Sequence, residues 1–193
     1  CLGCVVLDCV KVLKLELHVC EEDGRFLLDV LEELNRFTSV LYHYMKCSGR
    51  VLDWGTYKVL RDGFFGMYGC RLSATVCEMR YKKLVDTWKA TLTQGRVPSL
   101  KNIGNVLYLR VSKYVNGRYY RRNLEFYVEN GVLMCRIKGL VKGREVLGGL
   151  TCSPFIANMI MRAVHGRNGY SIGDPLELVV KNGRFFLHIP IKR

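Results

Sequence analysis

The spacing of hydrophobic residues changes twice along the chain, and each change marks a different secondary structure. In residues 10–19, VKVLKLELHV, apolar and polar side chains alternate, which predicts a strand with one buried face. In residues 23–46 the apolar positions recur every three or four residues, which predicts a long amphipathic helix that ends at Gly49. Acids near its start favour the same assignment, because the helix dipole stabilises negative charge there.

Two more helices are predicted before residue 100. Residues 54–67 form a short helix, closed by the glycines at positions 63, 66 and 69. Residues 72–94 form a longer helix, with Gly95 as its cap and Pro98 beyond it. Its basic side chains, Arg80 among them, are expected to stay on its polar face.

Strand patterns dominate the chain beyond residue 103. The predicted strands are residues 106–111, 118–128, 132–139, 175–181 and 184–192. Asn-Gly pairs beginning at Asn116, Asn130 and Asn182 predict β-hairpins, because this dipeptide suits tight turns in which both residues have positive φ. A short helix is predicted over residues 153–164, with Ser153 as its cap.

The order of elements predicts the fold class. It is a strand, three helices, and at least five strands with one short helix among them. This order predicts an α+β fold, in which a β-barrel or curled sheet carries a helical insertion after its first strand. The expected divisions are residues 1–20, with the first strand, residues 21–100, the helical insertion, and residues 101–193, the remainder of the barrel.

Charge narrows the class of partner. The net charge is +13, and no apolar run reaches the roughly eighteen residues that a membrane span needs. Residues 1–60 carry seven Lys and Arg against nine Asp and Glu, a net −2, whereas residues 61–193 carry 23 against eight, a net +15. Such a field concentrates polyanions, which favours nucleic acid over an acidic membrane or a protein as the partner.

The cysteines indicate a reducing compartment. Nine cysteines are too few for a secreted disulfide scaffold of this length, so we expect reduced thiols and a cytoplasmic protein. The chain begins at Cys1 without an initiator Met or a signal-peptide pattern, and we expect its N-terminus to be incomplete. Cys1 and Cys4 have zinc-ligand spacing, but no second pair at suitable spacing follows, so no metal site is predicted.

No complete catalytic site is predicted. The four histidines have no matching nucleophile or carboxylate pattern. A metal-dependent nuclease needs several converging carboxylates, whereas the acids of residues 61–193 are scattered and mostly adjoin turns or basic residues. We therefore assign no catalytic residue and no cofactor, and expect a binding protein.

Basic and aromatic residues interleave around the Asn116 turn. Cations bind phosphates and rings stack on unpaired bases, which is how single-stranded or folded RNA is held. Strand side chains alternate, so about half of these tyrosines are expected to face the core. The predicted nucleic-acid-binding residues are Arg80, Lys82, Lys83, Lys89, Arg110, Lys113, Tyr114, Arg118, Tyr119, Tyr120, Arg121, Arg122, Arg136 and Lys138.

Several segments resemble the N-terminal half of the transposon-encoded TnpB proteins, relatives of the type V CRISPR effector nucleases. That family's first wedge strand and first recognition helix are similar to VLKLELHV and EEDGRFLLDVLEELNRFTSVLYHYM. A later helix is similar to VCEMRYKKLVDTWKATLTQG, followed by VPSL, and the last wedge hairpin is similar to YSIGDPLELVVKNGRFFLHIPIKR. The similarity covers residues 10–193.

The resemblance implies a fold and a function. It implies a wedge domain, an oligonucleotide-binding-like β-barrel, interrupted after its first strand by a helical recognition domain. It also implies that both domains hold a structured guide-type RNA and help to bind a short duplex DNA motif beside the target. The family's RuvC nuclease domain and zinc ribbon would follow Arg193. The resemblance therefore implies no cleavage by these residues and leaves room for a separate RuvC-bearing chain as a partner.

Two other functions stay open. The chain can be a free-standing RNA- or DNA-binding barrel protein unrelated to TnpB. It can also be an interaction subunit that docks on a separate nuclease through its acidic N-terminal helix. A continuous basic surface would favour RNA binding, and a large exposed apolar face would favour a protein partner.

Overall fold

A computed structural model describes residues 10–96, 99–100 and 103–193. These residues form two compact units. The first, called the sheet unit, contains residues 10–19, 109–137 and 146–193. The second, called the helical unit, contains the described residues of 20–108 and residues 138–145. The mixture of helices and an antiparallel sheet confirms the predicted α+β class.

The order of helices and strands is close to the predicted one. Along the chain the elements are β1 (Val10–Val19), α1 (Glu21–Ser48), α2 (Trp54–Tyr68), α3 (Ala74–Thr93), β2 (Val106–Leu109), β3 (Lys113–Val115), β4 (Arg118–Tyr120), β5 (Leu124–Glu129), β6 (Val132–Lys138), β7 (Glu145–Leu150), α4 (Pro154–His165), β8 (Ser171–Ile172), β9 (Leu176–Lys181) and β10 (Arg184–Lys192). The helices α1, α2 and α3 belong to the helical unit, whereas α4 and most of the strands belong to the sheet unit.

β1 occupies a central position in the strongly curled antiparallel sheet of the sheet unit. The strand order is β9-β10-β1-β7-β6-β5, and β8 pairs with β10. Leu17 of β1 is opposite both Phe185 of β10 and Leu150 of β7. Residues 10–19 therefore pair with strands that lie beyond residue 103 in the sequence.

The three Asn-Gly hairpins form as predicted. Asn116, Asn130 and Asn182 have φ values of 50°, 49° and 51°, and the glycine after each also has a positive φ. Both central residues of a type I′ turn need positive φ, so this dipeptide fixes the registers of β3–β4, β5–β6 and β9–β10. The predicted cap of α4 is confirmed as well, because Ser153 Oγ accepts a hydrogen bond from the Ile156 N–H.

Bonds of two side chains lie where the strand predicted over residues 106–111 ends and where the strand predicted over residues 118–128 is divided in two. The buried Ser112 hydroxyl accepts from the Arg122 N–H at 2.7 Å and donates to the Arg122 carbonyl at 3.2 Å. Asn123 Oδ1 accepts from the Arg110 N–H at 2.6 Å. These bonds take the place of regular ladder bonds. As a result, β3 and β4 form a separate two-stranded ribbon instead of continuing β2 and β5.

β7 has the sequence EVLGGL, which carries no clear strand signal because two adjacent glycines lower strand propensity. The position of Gly148 explains this composition. A Cβ at this position would lie 2.5 Å from Leu17 Cδ1 and 3.0 Å from the His18 carbonyl oxygen, both on β1. The close approach of β7 to β1 therefore requires a residue without a side chain.

α2 is close to its predicted range of 54–67, and of the three glycines expected to close it only the last one does so. Gly63 and Gly66 lie inside the helix, which ends at Gly69 with a φ of 60°. Phe64 is buried against Phe37 of α1, with 5.3 Å between the ring centroids. This packing offsets the low helix propensity of the neighbouring glycines.

Residues 138–145 complete the helical unit from a distant part of the sequence. The Arg144 guanidinium lies 3.0 Å from the Asp23 carboxylate and 2.9 Å from that of Glu22, at the start of α1. The Leu140 carbonyl accepts a hydrogen bond from the N–H of Ser73, the N-cap of α3, at 2.8 Å. The starts of two helices are thus held by this later segment.

Arg80 was predicted to lie on the polar face of α3 and to bind nucleic acid, and the structure corrects both predictions. Its side chain is fully buried, and its guanidinium donates to Asn35 Oδ1 at 3.1 Å and to the carbonyls of Ile103 at 2.8 Å and Val106 at 2.7 Å. Burial lowers the pKa of Arg80 to about 10, so the group stays charged at neutral pH. The acceptors replace the water that a buried cation loses, and no part of this side chain is exposed to a phosphate.

Replacing Arg80 should destabilise the protein strongly. We expect Arg80→Ala to lower the free energy of unfolding by roughly 2–5 kcal/mol, because it removes the hydrogen bonds to Asn35 and to the Ile103 and Val106 carbonyls and creates a cavity. The control is Lys89→Ala, an exposed cation on the same helix, with an expected change of about 0.5 kcal/mol or less. Urea denaturation followed by circular dichroism measures both, and equal effects would contradict the structural role of Arg80.

Candidate nucleic-acid interface

The ribbon formed by β3 and β4 presents its tyrosines to solvent. Tyr114 is opposite Tyr119, and Lys113 is opposite Tyr120. Tyr114 and Tyr119 are each 40% exposed and Tyr120 is 38% exposed. The expectation that half of these rings face the core is therefore wrong. The ribbon lies outside the large sheet, so strand alternation does not direct every second ring into the core of that sheet.

Three exposed arginines lie in or directly after β4: Arg118 belongs to the strand, and Arg121 and Arg122 follow it. We call these arginines, together with β3 and β4, the basic ribbon. The guanidinium carbons of Arg118 and Arg122 lie 5.8 Å and 6.0 Å from the centroid of the Tyr120 ring. Such cation–π contacts hold the guanidinium groups beside the ring. Within the described residues, no carboxylate pairs with Arg118, Arg121 or Arg122. Their positive charge is therefore available to an external anion.

The two cations at the base of the basic ribbon are already in contact with the protein. Lys113 Nζ donates to the Ile172 carbonyl at 3.1 Å. Arg110 Nε lies 3.4 Å from Asp174 Oδ2, although the Arg110 side chain remains 44% exposed. Both side chains therefore anchor the base of the basic ribbon. Asp174 partly neutralises Arg110, whereas the Ile172 carbonyl leaves the charge of Lys113 in place.

The two predicted binding residues of β6 are half-buried. The guanidinium carbon of Arg136 lies 5.7 Å from the centroid of the Tyr127 ring. Arg136 and Lys138 both have interactions within the protein. Neither residue has the exposure of the arginines on the basic ribbon, so we leave both out of the central part of the site.

The predicted lysines of α3 form a second basic face, on the helical unit. Lys82, Lys83 and Lys89 are all exposed. Lys82 Nζ lies 2.5 Å from Glu78 Oε1, and Lys83 Nζ lies 5.5 Å from the centroid of the Tyr108 ring. An exposed ion pair between residues four apart on a helix contributes little energy, so these lysines remain able to contact phosphates.

The end of α4 brings two further residues to the basic ribbon. The His165 ring stacks on Tyr114, with 5.1 Å between centroids and 16° between planes. Arg167 follows the capping residue Gly166. These residues line a cavity of about 470 Å³, and the full set is Tyr114, Asn116, Gly117, His165, Gly166 and Arg167. No local pattern predicts this arrangement, because it depends on the packing of α4 against β3.

No group of three or more His, Cys, Asp or Glu side chains in the part of the chain that the structure describes could hold a metal ion. The predicted zinc-spaced pair, Cys1 and Cys4, lies outside the described residues. Cys77 and Cys135 are fully buried free thiols, and burial raises the pKa of each to about 12, as expected for small buried hydrophobic residues.

No described helix has the length and apolar character needed to cross a membrane. A scan of the chain against models of known protein families finds no match, and a search of characterised proteins finds none either. The resemblance to TnpB therefore stays a prediction that depends on the segments quoted above. The geometry of the basic ribbon is the firmer basis for proposing a function.

The exposed ring of Tyr120 generates a test of base stacking. We expect Tyr120→Leu to weaken binding to a single-stranded RNA by roughly 1–3 kcal/mol, because a leucine cannot stack on a base as a ring does. The matched control is Tyr44→Leu on α1, since Tyr44 is 39% exposed and Tyr120 is 38% exposed. Fluorescence anisotropy of a labelled RNA measures the affinity. Equal losses in the two variants would remove Tyr120 from the site.

Proposed function

We propose that this protein binds structured RNA through the basic ribbon. The observation that carries the proposal is the combination, on one two-stranded ribbon, of three exposed tyrosines with three arginines that form no ion pair among the described residues. Cations without an ion-pair partner attract phosphates and release counterions, which is the main source of affinity for nucleic acids. Exposed rings add stacking on unpaired bases.

RNA fits these features better than duplex DNA. A two-stranded ribbon can enter the major groove of DNA, but there it would use hydrogen-bonding side chains on base edges. The basic ribbon instead presents tyrosine rings, and rings stack on bases that are splayed out of a helix, as in RNA loops and bulges. Duplex DNA beside a target remains a secondary ligand in the proposal, as the resemblance to TnpB implies.

We further propose that the RNA is a guide-type scaffold and that the sheet unit is an oligonucleotide-binding-like wedge barrel interrupted by a recognition insertion. The pairing of β1 with both β10 and β7, with three helices following β1 in sequence, supports this proposal. The six described cysteines are free thiols, which supports a cytoplasmic location.

The helical unit supports an additional role in binding a protein partner. Asp29, Glu32 and Glu33 of α1 line a cavity of about 600 Å³ together with Phe64 and Tyr68 of α2. Arg36, which pairs with Glu32, lines it too, so the three acids outnumber one cation. The nearby end of α2 exposes large apolar side chains, among them that of Met67. Acidic and apolar groups side by side suit a partner with basic and apolar residues, such as a separate RuvC-bearing chain.

The proposal predicts a specific salt dependence. We expect the triple variant Arg118→Ala, Arg121→Ala and Arg122→Ala to bind a structured RNA more weakly. The slope of log affinity against log salt should fall by roughly 0.7–0.9 for each lost phosphate contact. The charge-matched control replaces Arg25, Arg36 and Arg50 of the helical unit with Ala, which lowers the net charge equally. A slope that is unchanged in the ribbon variant, or changed equally in the control, would overturn the proposal.

Cleavage is not part of the proposed function. Two-metal phosphodiester cleavage needs converging carboxylates, so we expect the purified chain, with Mg²⁺ and guide RNA, to leave DNA uncut. The measurement is a gel assay on a labelled duplex, repeated after a further purification step. Cleavage that persists and disappears when acids of this chain are replaced would contradict the proposal. Cleavage that requires an added RuvC-bearing chain would support the partner described above.

A further inference from the structure

The cavity between the tip of the basic ribbon and the end of α4 is half-open and mainly polar, and it is large enough for a small ligand. Its volume of about 470 Å³ falls within the range of roughly 300–1,000 Å³ that is usual for ligand pockets. One wall is the stacked pair of Tyr114 and His165. The Asn116-Gly117 turn and the exposed Arg167 also line it. The cavity therefore combines a ring surface with hydrogen-bonding groups.

The orientation of the His165 ring is fixed by the helix that carries it. Its Nδ1 lies 2.7 Å from the Met161 carbonyl oxygen. A carbonyl oxygen only accepts hydrogen bonds, so Nδ1 carries the hydrogen and donates it. In the neutral ring Nε2 is then the acceptor that remains for a ligand. The cavity thus offers an acceptor at His165 and donors at Arg167 and Asn116.

The helix terminus makes a lone phosphate a poor occupant. His165 is the last residue of α4, where the helix dipole places partial negative charge. The N–H groups of Gly166 and Arg167 are already bonded to the carbonyls of Ala163 and Arg162, so they are not available to an anion. A nucleobase is neutral, has donors and acceptors on its edges, and has two faces that stack on aromatic rings.

We infer that this cavity holds one unpaired nucleobase of the RNA bound on the basic ribbon, an inference that depends on the function proposed above. The base stacks on the face of His165 that is turned away from Tyr114, and its edge meets the Asn116 amide. His165 Nε2, whose lone pair lies in the ring plane, accepts from another group of the same nucleotide. Arg167 contacts the phosphate of the same nucleotide from the rim. The basic ribbon therefore supplies charge along its length and a base-binding pocket at its tip.

The test compares two probes that share a phosphate backbone. One is a single-stranded adenosine RNA of about twelve nucleotides, within the usual site size of single-strand binders. The other is an abasic ribose-phosphate strand of equal length. We expect Tyr114→Leu and His165→Ala, made separately, each to weaken binding of the adenosine strand about tenfold and of the abasic strand less than about twofold. The control is His43→Ala, an exposed histidine on α1, with no expected change.

The possible results distinguish a failure of the nucleobase pocket from a failure of the proposed RNA binding. Equal losses on the two strands, or no loss on either, in a protein that still binds RNA with a normal salt slope would overturn the nucleobase pocket and leave the proposed function intact. Failure of the unmodified chain to bind either strand or a structured RNA would overturn both. Circular dichroism of each variant excludes unfolding, and agreement between the two independent variants excludes a local distortion caused by one of them.

Discussion

The hydrogen bonds of the Ser112 hydroxyl and the Asn123 amide are the constraint on which the candidate site depends. They satisfy backbone groups that a regular ladder would otherwise pair, and they do so where β3 and β4 separate from the larger sheet. Without this break, the strands around the Asn116 turn would continue into the sheet, and alternation would turn part of their side chains inward. The exposed rings and the unpaired arginines are both consequences of the break.

The contrast between local and distant interactions explains which parts of the fold were predictable. Asn-Gly turns and the Ser153 cap act within a few residues, so their signals are present in the sequence itself. The break at Ser112 and the role of Gly148 depend on segments that meet only in the folded sheet unit. A serine in a strand pattern and a glycine pair look like ordinary loop residues until those partners are known.

The candidate site was predictable to a similar degree. The interleaving of cations and rings indicated the hairpin that carries the exposed tyrosines and arginines, because a local concentration of charge can be read directly from the sequence. The burial of single residues was harder to predict. Arg80 lies in a helix pattern with three exposed lysines, and no neighbouring residue indicates that two later carbonyls accept its hydrogen bonds. His165 and Arg167 were missed for the same reason, since their contribution arises from the packing of α4.

The discontinuous helical unit has a consequence for how the protein is made. A ribosome releases the chain from its N-terminus, at roughly 5–20 residues per second in general. The residues of α1, α2 and α3 emerge from the ribosome before Ile103 and Val106, whose carbonyls accept from Arg80. They emerge well before Leu140 and Arg144, which contact the starts of α3 and α1. During that interval the Arg80 guanidinium lacks two of its acceptors and cannot be buried in its final position. The helical unit is therefore expected to close only after much of the sheet unit's sequence has been synthesised.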